Sequence, residues 1–279
     1  MHKEILPAKD LSAFIDSYWL LEQTIAKPVV SSMHPLGYPI LELNLGEHWE
    51  MYTKKGKPGA SFGSSIFPLA SQPIWVKPKR FMRTVLVRFQ PWGLSTLLPE
   101  MTNSNQVLDA RTVFGASINW LEEKFDSCFE SGYIKRELNQ YFRSFKPKET
   151  TESLRIRLAI QEILTGRGVT PINTIAGQLD ISQRRLEQIF ARRVGLTPKK
   201  YAAVARFQYA LLNHQMESTT TQLALSAGYY DQSHFIRQFR AFTGQSPARY
   251  FRKRMTETYQ ASNLYNFRSW SDDNFAGKG

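Results

Sequence analysis

Between Ala176 and Tyr250 the sequence repeats itself with a period of 48 to 49 residues. Ala176 pairs with Ala224, and after one extra residue Leu186, Phe190, Gly195, Pro198 and Tyr201 pair with Phe235, Phe239, Gly244, Pro247 and Tyr250. A repeat of this length means that one supersecondary unit is built twice. Each copy reads as helix, tight turn, helix. A small residue, Ala176 or Ala224, lets two helices approach closely. Asp180 or Gly228 takes the turn because those types tolerate left-handed backbone, and Ser182 or Asp231 is placed to cap the helix that follows. Leu186 and Phe190, or Phe235 and Phe239, stand at i and i+4 and form the inward stripe of that second helix.

The other face of each second helix is polar. It carries Gln183, Arg184, Arg185, Gln188 and Arg192 in the first copy, and Gln232, Ser233, His234, Arg237 and Arg240 in the second. Arg and Gln are the side chains that bond bidentately to guanine and adenine edges in the major groove, so the pattern is a helix-turn-helix occurring twice. Charge agrees with this. The 279-residue chain has a formal net charge of +12. Residues 151–258 hold 16 Lys/Arg against 7 Asp/Glu, whereas residues 1–150 hold 18 against 15. A basic excess concentrated in one segment is the footprint of a polyanionic partner, here double-stranded DNA.

In this second part the sequence resembles the AraC/XylS-type transcription regulators. Ala224, Gly228-Tyr229, Ser233-His234-Phe235, Phe239, Gly244, Ser246-Pro247 and Tyr250 fall at that family's spacing, and the resemblance spans about residues 153–254. Asp180 stands where glycine is common, Leu223 where isoleucine is usual and Tyr229 where phenylalanine is; none of these removes a packing or capping role. The resemblance implies DNA binding by both units. Base reading is expected of Arg184, Gln188, His234 and Arg237, with Gln183, Gln232 and Ser233 beside them. Phosphate contacts are expected of Arg185, Arg192, Lys199, Lys200, Arg240 and Arg249. A helix from Pro198 to about Gln215 would span roughly 27 Å, enough to hold two recognition helices about one DNA turn apart, so that one chain reads two different boxes.

The first part reads as mixed β with helices at its ends. Leu11 to Leu21 places Phe14, Ile15, Tyr18 and Leu21 at helical spacing. Short apolar runs at Ile40–Leu45, Ile66–Leu69 and Thr84–Phe89, punctuated by Gly, Pro and Ser, suit the strands of a small barrel or sandwich. Between Ile118 and Phe145 the apolar residues recur at three and four, with a break at Ser131-Gly132, as in a helical pair. Lys146 to Glu152, a proline among polar and charged residues, reads as the linker. The expected architecture is therefore α+β: a β-barrel-like N-terminal regulatory domain with flanking helices (1–148), an all-helical DNA-binding domain (149–258) and a tail (259–279) rich in aromatic residues.

Pro7, Leu11, Tyr18-Trp19 and Val87-Arg88-Phe89-Gln90-Pro91-Trp92-Gly93 look like the regulatory domain of one subgroup of the same family. They imply an effector-binding or dimerising role, and RNA polymerase is a further partner to expect. Tyr18, Trp19, Tyr38, Trp49, Tyr52, Phe62, Phe67, Trp75, Phe81 and Trp92 either line a pocket or fill a core. Other chemistry finds little support. The five histidines never stand at metal-ligand spacing, and the single cysteine, Cys128, forms no cluster. Neither a Gly-rich phosphate loop nor a Ser/His/Asp arrangement stands out, so no cofactor and no enzyme activity are expected. A cupin-like enzyme carrying a DNA-binding domain is the distant alternative. With no apolar leader and no run of about 20 apolar residues, the sequence reads as a soluble cytoplasmic protein without a membrane span, and the family resemblance implies a bacterial one.

Overall fold

The computed structural model describes residues 1–53, 56–61, 63–98, 106–147, 149–217 and 219–254. The aromatic tail and Phe62 lie outside them. Two compact units are present: one comprises Met1–Ser31, Tyr38–Leu69 and Trp75–Thr150, and the other Ser32–Gly37, Ala70–Ile74 and Thr151–Gly279.

Among the described residues the first part of the chain supplies nine strands: β1 (His2–Ile5), β2 (Ile15–Thr24), β3 (Ser31–Met33), β4 (Ile40–Asn44), β5 (Glu50–Tyr52), β6 (Ser65–Phe67), β7 (Ile74–Lys77), β8 (Phe81–Phe89) and β9 (Leu108–Asp109). Four helices accompany them: α1 (Gly93–Leu97), α2 (Ala110–Phe114), α3 (Ser117–Ser127) and α4 (Ser131–Arg143). The main sheet runs β1-β2-β8-β4-β6-β9 with antiparallel neighbours, and a second sheet contains the antiparallel pair β5/β7. The arrangement is two open sheets with flanking helices.

The period of 2 sorts each long strand into two faces. Leu41 and Leu43 of β4, Val85 and Val87 of β8, and Tyr18 and Leu20 of β2 share one core with Ile118, Leu121, Phe125, Ile134, Leu138 and Phe142 of α3 and α4. Trp19, Ile40, Glu42, Phe67 and Leu86 are buried on the opposite face.

The helix expected over Leu11–Leu21 is overturned. Only Lys9–Leu11 forms a short 3-10 turn, and Ile15 onward is β2. Residues Ser17 through Leu21 are all buried, so apolar side chains run without alternation and mimic a helical spacing. The later break also shifts: α3 ends before Cys128, and Ser131 opens α4, capped by the Glu130 carboxylate, which accepts from the amides of Gly132 and Tyr133 at 2.9 and 2.7 Å. The Pro91-Trp92-Gly93 segment turns the chain against Phe14. A Cβ at Gly93 would stand 1.8 Å from the Phe14 carbonyl oxygen, so no other residue fits.

The remaining helices are α5 (Thr151–Thr165), α6 (Ile172–Gln178), α7 (Gln183–Val194), α8 (Pro198–Asn213), α9 (Thr220–Ser226), α10 (Gln232–Thr243) and α11 (Pro247–Arg254). Helix α5 begins two residues before Ser153, so Glu152 belongs to its first turn and not to the linker. Helix α8 is buried on nearly every side: Tyr201, Ala202, Val204, Ala205, Phe207, Gln208, Ala210 and Leu211 are all inside. The fully buried Gln208 amide is satisfied within this unit by the Pro35 carbonyl, and Ser32 donates to the carbonyl of Thr243 at 2.8 Å. Phe207, Phe235, Phe239, Phe242 and Tyr250 form the second core, with ring centroids 5.0 to 5.5 Å apart. Three of these pairs are edge-to-face and the Phe207/Phe242 pair is tilted; edge-to-face pairs contribute about 0.5–1.5 kcal/mol each beyond their burial.

Candidate nucleic-acid interface

The two repeats fold by the same local rules. In the first, Ala176 is buried where α6 meets α7, Asp180 adopts φ +52°, and the Ile181 amide bonds back to the Ala176 carbonyl at 3.1 Å. The Ser182 hydroxyl then caps α7 by accepting from the Arg185 amide at 3.2 Å. In the second, Ala224 is buried, Gly228 adopts φ +76°, and Tyr229 bonds back to Ala224 at 2.9 Å. The Asp231 carboxylate caps α10 by accepting from the His234 amide at 2.6 Å. Both recognition helices end on left-handed glycines, Gly195 and Gly244. The turn and cap assignments made from sequence hold residue for residue. Each cap is worth about 1 kcal/mol.

Burial divides the two helices into faces. Leu186, Ile189, Phe190 and Val194 are buried on α7, and Phe235, Phe239, Phe242 and Thr243 on α10. At about 100° per residue, the positions opposite those stripes are Arg184, Gln188 and Arg192 on α7, and the equivalent Ser233, Arg237 and Ala241 on α10. All six are exposed. Gln183 and Gln232 are also exposed, but they sit in the first turn on the other side of the helix, and Gln183 donates to Glu187 at 2.8 Å. His234 is half-buried with its ring set edge-on against Tyr229, centroids 5.4 Å apart.

The six residues expected at phosphates separate into two groups. Lys199, Lys200, Arg240 and Arg249 are exposed, and among the described residues none has an ion-pair partner. Arg185 and Arg192 instead share one carboxylate. Glu152 of α5 accepts from Arg185 Nη2 at 3.0 Å, from Arg192 Nη2, and from Arg193 Nε at 3.3 Å. Burial opposes ionisation of Glu152, but its bonds to Arg192 and Arg193 outweigh that and lower its pKa. Read as linker, this residue gave no sign of a role; only the packing of α5 against α7 brings it to the arginines.

Arg206 of α8, also unassigned from sequence, is half-buried. Its guanidinium donates to the Gly168 carbonyl at 2.5 Å and lies 5.8 Å over the Tyr229 ring. Burial lowers its pKa, with Tyr229 opposing. Gly168 precedes the first helix-turn-helix and Tyr229 belongs to the turn of the second, so one α8 side chain touches both.

A family profile described as a helix-turn-helix domain matches residues 175–253, the stretch that holds both repeats. Together with the spacing of the second copy, this identifies residues 175–253 as a helix-turn-helix domain of the AraC type. Such a domain binds DNA in the regulation of transcription. A second profile, a domain of unknown function (DUF6597), matches residues 3–110. No curated protein matches the chain significantly.

Among solved structures, ToxT from Vibrio cholerae O395 is similar at 13% identity over 84% of this chain and 96% of its own, with a TM-score of 0.48. A probable AraC family transcriptional regulator from Rhodopseudomonas palustris CGA009 is 28% identical over 36% of this chain and 95% of its own, with a TM-score of 0.31. A DNA-binding transcriptional dual regulator from Escherichia coli K-12 is 20% identical over 40% and 96%, with a TM-score of 0.32.

In the N-terminal unit most of the aromatic residues singled out from the sequence are core. Tyr18, Trp19, Tyr38, Trp49, Phe67 and Trp92 are buried, Tyr52 and Trp75 are half-buried, and Phe81 is exposed. Trp49 stacks on Phe67 with centroids 5.1 Å apart and donates from Nε1 to the buried Glu42 carboxylate at 2.8 Å. No group of three or more His, Cys, Asp or Glu among the described residues could hold a metal ion, and no described helix is long and apolar enough to cross a membrane.

Proposed function

We propose that this regulator reads an asymmetric two-box site on double-stranded DNA, with α7 in one major-groove segment and α10 in the next. The observation that carries the reading is the chemical difference between two equivalent outward faces: Arg184, Gln188 and Arg192 against Ser233, Arg237 and Ala241. Identical faces would favour a repeated box; these do not. Arg184, Gln188, Ser233 and Arg237 are the base readers, Gln183, Gln232 and His234 flank them, and Lys199, Lys200, Arg240 and Arg249 hold phosphates, with Arg185 and Arg192 shared with Glu152. Helix α8, 16 residues and about 24 Å long, is the spacer. Capture of sheared genomic DNA on the full-length protein at near-physiological salt, followed by sequencing, tests this. The expected product is one asymmetric motif of two boxes about 10 base pairs apart. A palindrome, or diffuse capture lost at modest salt, overturns it.

Residues 1–148 are the regulatory part of this reading and 149–258 the DNA-binding part, in the reducing cytoplasm of a bacterium. A small-molecule effector fits the N-terminal unit because its two sheets carry buried polar atoms. Glu42 lies beside Trp49, and Ser65 Oγ and Trp75 Nε1 are buried with no hydrogen-bond partner among the described residues. Buried polar groups are rarely left so. A thermal-shift screen of metabolites tests it, since an effector at 100 times its Kd stabilises by about 2.7 kcal/mol. Absence of any stabilising compound, with a mass that doubles with concentration, would favour a unit that serves only dimerisation or polymerase contact.

A further inference from the structure

The two recognition helices differ in how their positive charge is held. On α10 and α11, Arg237, Arg240, Arg249 and Arg252 are exposed, and none has an ion-pair partner among the described residues. On α7, Arg184 alone stands outward in that condition. Arg185 and Arg192, one shoulder of the helix, converge with Arg193 on the Glu152 carboxylate of α5. The positions on α10 equivalent to Arg185 and Arg192 are His234 and Ala241, so the second unit has no such cluster. Arg185 and Arg192 remain about half exposed, at 49% and 56% of their side chains, while Glu152 is 21% exposed. The cluster is therefore at the surface, with its one negative charge set just beneath the arginines.

We propose that Glu152 is a charge brake on the first recognition helix: by holding Arg185 and Arg192 along the α5 flank it reduces the sequence-independent attraction of α7 for phosphate. The first unit then contributes mainly base discrimination through Arg184 and Gln188, and the second supplies most of the phosphate affinity. This rests on the two-unit DNA reading above. The physical basis is competition. A carboxylate and a phosphate bid for the same guanidinium donors, and a fixed negative charge near the duplex backbone repels it. Sequence-independent affinity trades directly against the specificity ratio, so a regulator gains selectivity by restraining it.

The test uses the full-length protein, a fluorescent 30-base-pair duplex of arbitrary sequence and a potassium chloride series, comparing wild type with Glu152→Gln. The amide is close in shape but carries no charge. Glu152→Gln is expected to bind the arbitrary duplex several-fold more tightly and to steepen the plot of log K against log salt by about 0.9 to 1.8, the release of one or two further counterions. Adding Arg192→Gln to Glu152→Gln should reverse part of that steepening, while Arg192→Gln alone in the wild type should change the slope by less than Arg240→Gln does. A slope unchanged or shallower in Glu152→Gln, or an Arg192→Gln effect equal to that of Arg240→Gln in the wild type, overturns the brake. The Arg192→Gln comparison does not need the Glu152 variant to fold. If the wild type binds no duplex, the DNA reading itself fails and this inference falls with it. If the wild type binds with a steep salt slope and only the variants disagree, the brake alone is wrong.

Discussion

Arg237 and Lys200 are both exposed cations of the same unit, yet they stand in different places. Arg237 is centred opposite the buried stripe of α10, whereas Lys200 lies in the first turn of α8, its amide held by the Thr197 hydroxyl at 3.3 Å. Arg237→Ala should cost about 1–3 kcal/mol of binding and relax preference at one box, and Lys200→Ala should weaken every sequence alike. Affinities for a panel of single-base variants of the selected site separate the two; an equal, uniform loss for both mutants would refute the division between reading and positioning. Gly228 poses a different constraint. Its φ of +76° is strained for any side chain, and a Cβ there would meet Val169 Cγ2 at 2.3 Å. Gly228→Ala should therefore destabilise the helical unit by about 1–3 kcal/mol, seen as a lowered midpoint in thermal unfolding.

At the scale of elements, the contact between α5 and α7 is electrostatic at its exposed end and apolar within. Ile156, Ile160 and Ile163 of α5 are fully buried, as are Leu186 and Phe190 of α7. Because the ion pairs lower the Glu152 pKa in the folded state, the stability they provide is present above the ordinary carboxylate range and is lost as pH falls through the lowered value. Unfolding midpoints taken from neutral pH down to about pH 3 should fall more steeply in wild type than in Glu152→Gln. Parallel curves would mean that the cluster adds nothing to folding. The element that could not be read as a whole from sequence is α8. Tyr201, Val204, Ala205, Ala210, Leu211 and Leu212 read from the sequence as one inward face; the first five are buried and Leu212 only partly, while Ala202, Ala203, Phe207 and Gln208 are buried as well. A one-faced amphipathic reading assigns such residues to the outside; a helix enclosed on several sides has no outside to reveal.

For the molecule as a whole, the net charge of +12 says that a polyanion is attracted, not how many phosphates are touched. Four of the expected phosphate residues, Lys199, Lys200, Arg240 and Arg249, have no ion-pair partner among the described residues, while Arg185 and Arg192 share Glu152. Four contacts correspond to a slope of about −3.6 in log K against log salt, and six to about −5.4. A binding isotherm series on the full chain should give the shallower value; the steeper one would mean that DNA pulls both arginines away from Glu152.

The repeat alone determined most of the helical domain. Turn residues, caps and inward stripes are local: they depend on which residue types tolerate a left-handed backbone, accept from a helix amide or recur at i and i+4, and neighbours in sequence carry that information. The strands at Ile40, Ile66 and Thr84 were legible for the same reason, being short apolar runs bounded by turn residues. What only the tertiary structure decided depends on partners far away in the chain. Ile15 to Leu21 became a strand because β1 and β8 flank it and both its faces are covered. Glu152 acquired its role because α5 packs beside α7, and Arg206 because Gly168 and Tyr229, far apart in sequence, both meet its guanidinium. Periodicity records what a segment does by itself. Burial on two sides, and the meeting of one carboxylate with three arginines 33 to 41 residues away, are set by how the elements pack.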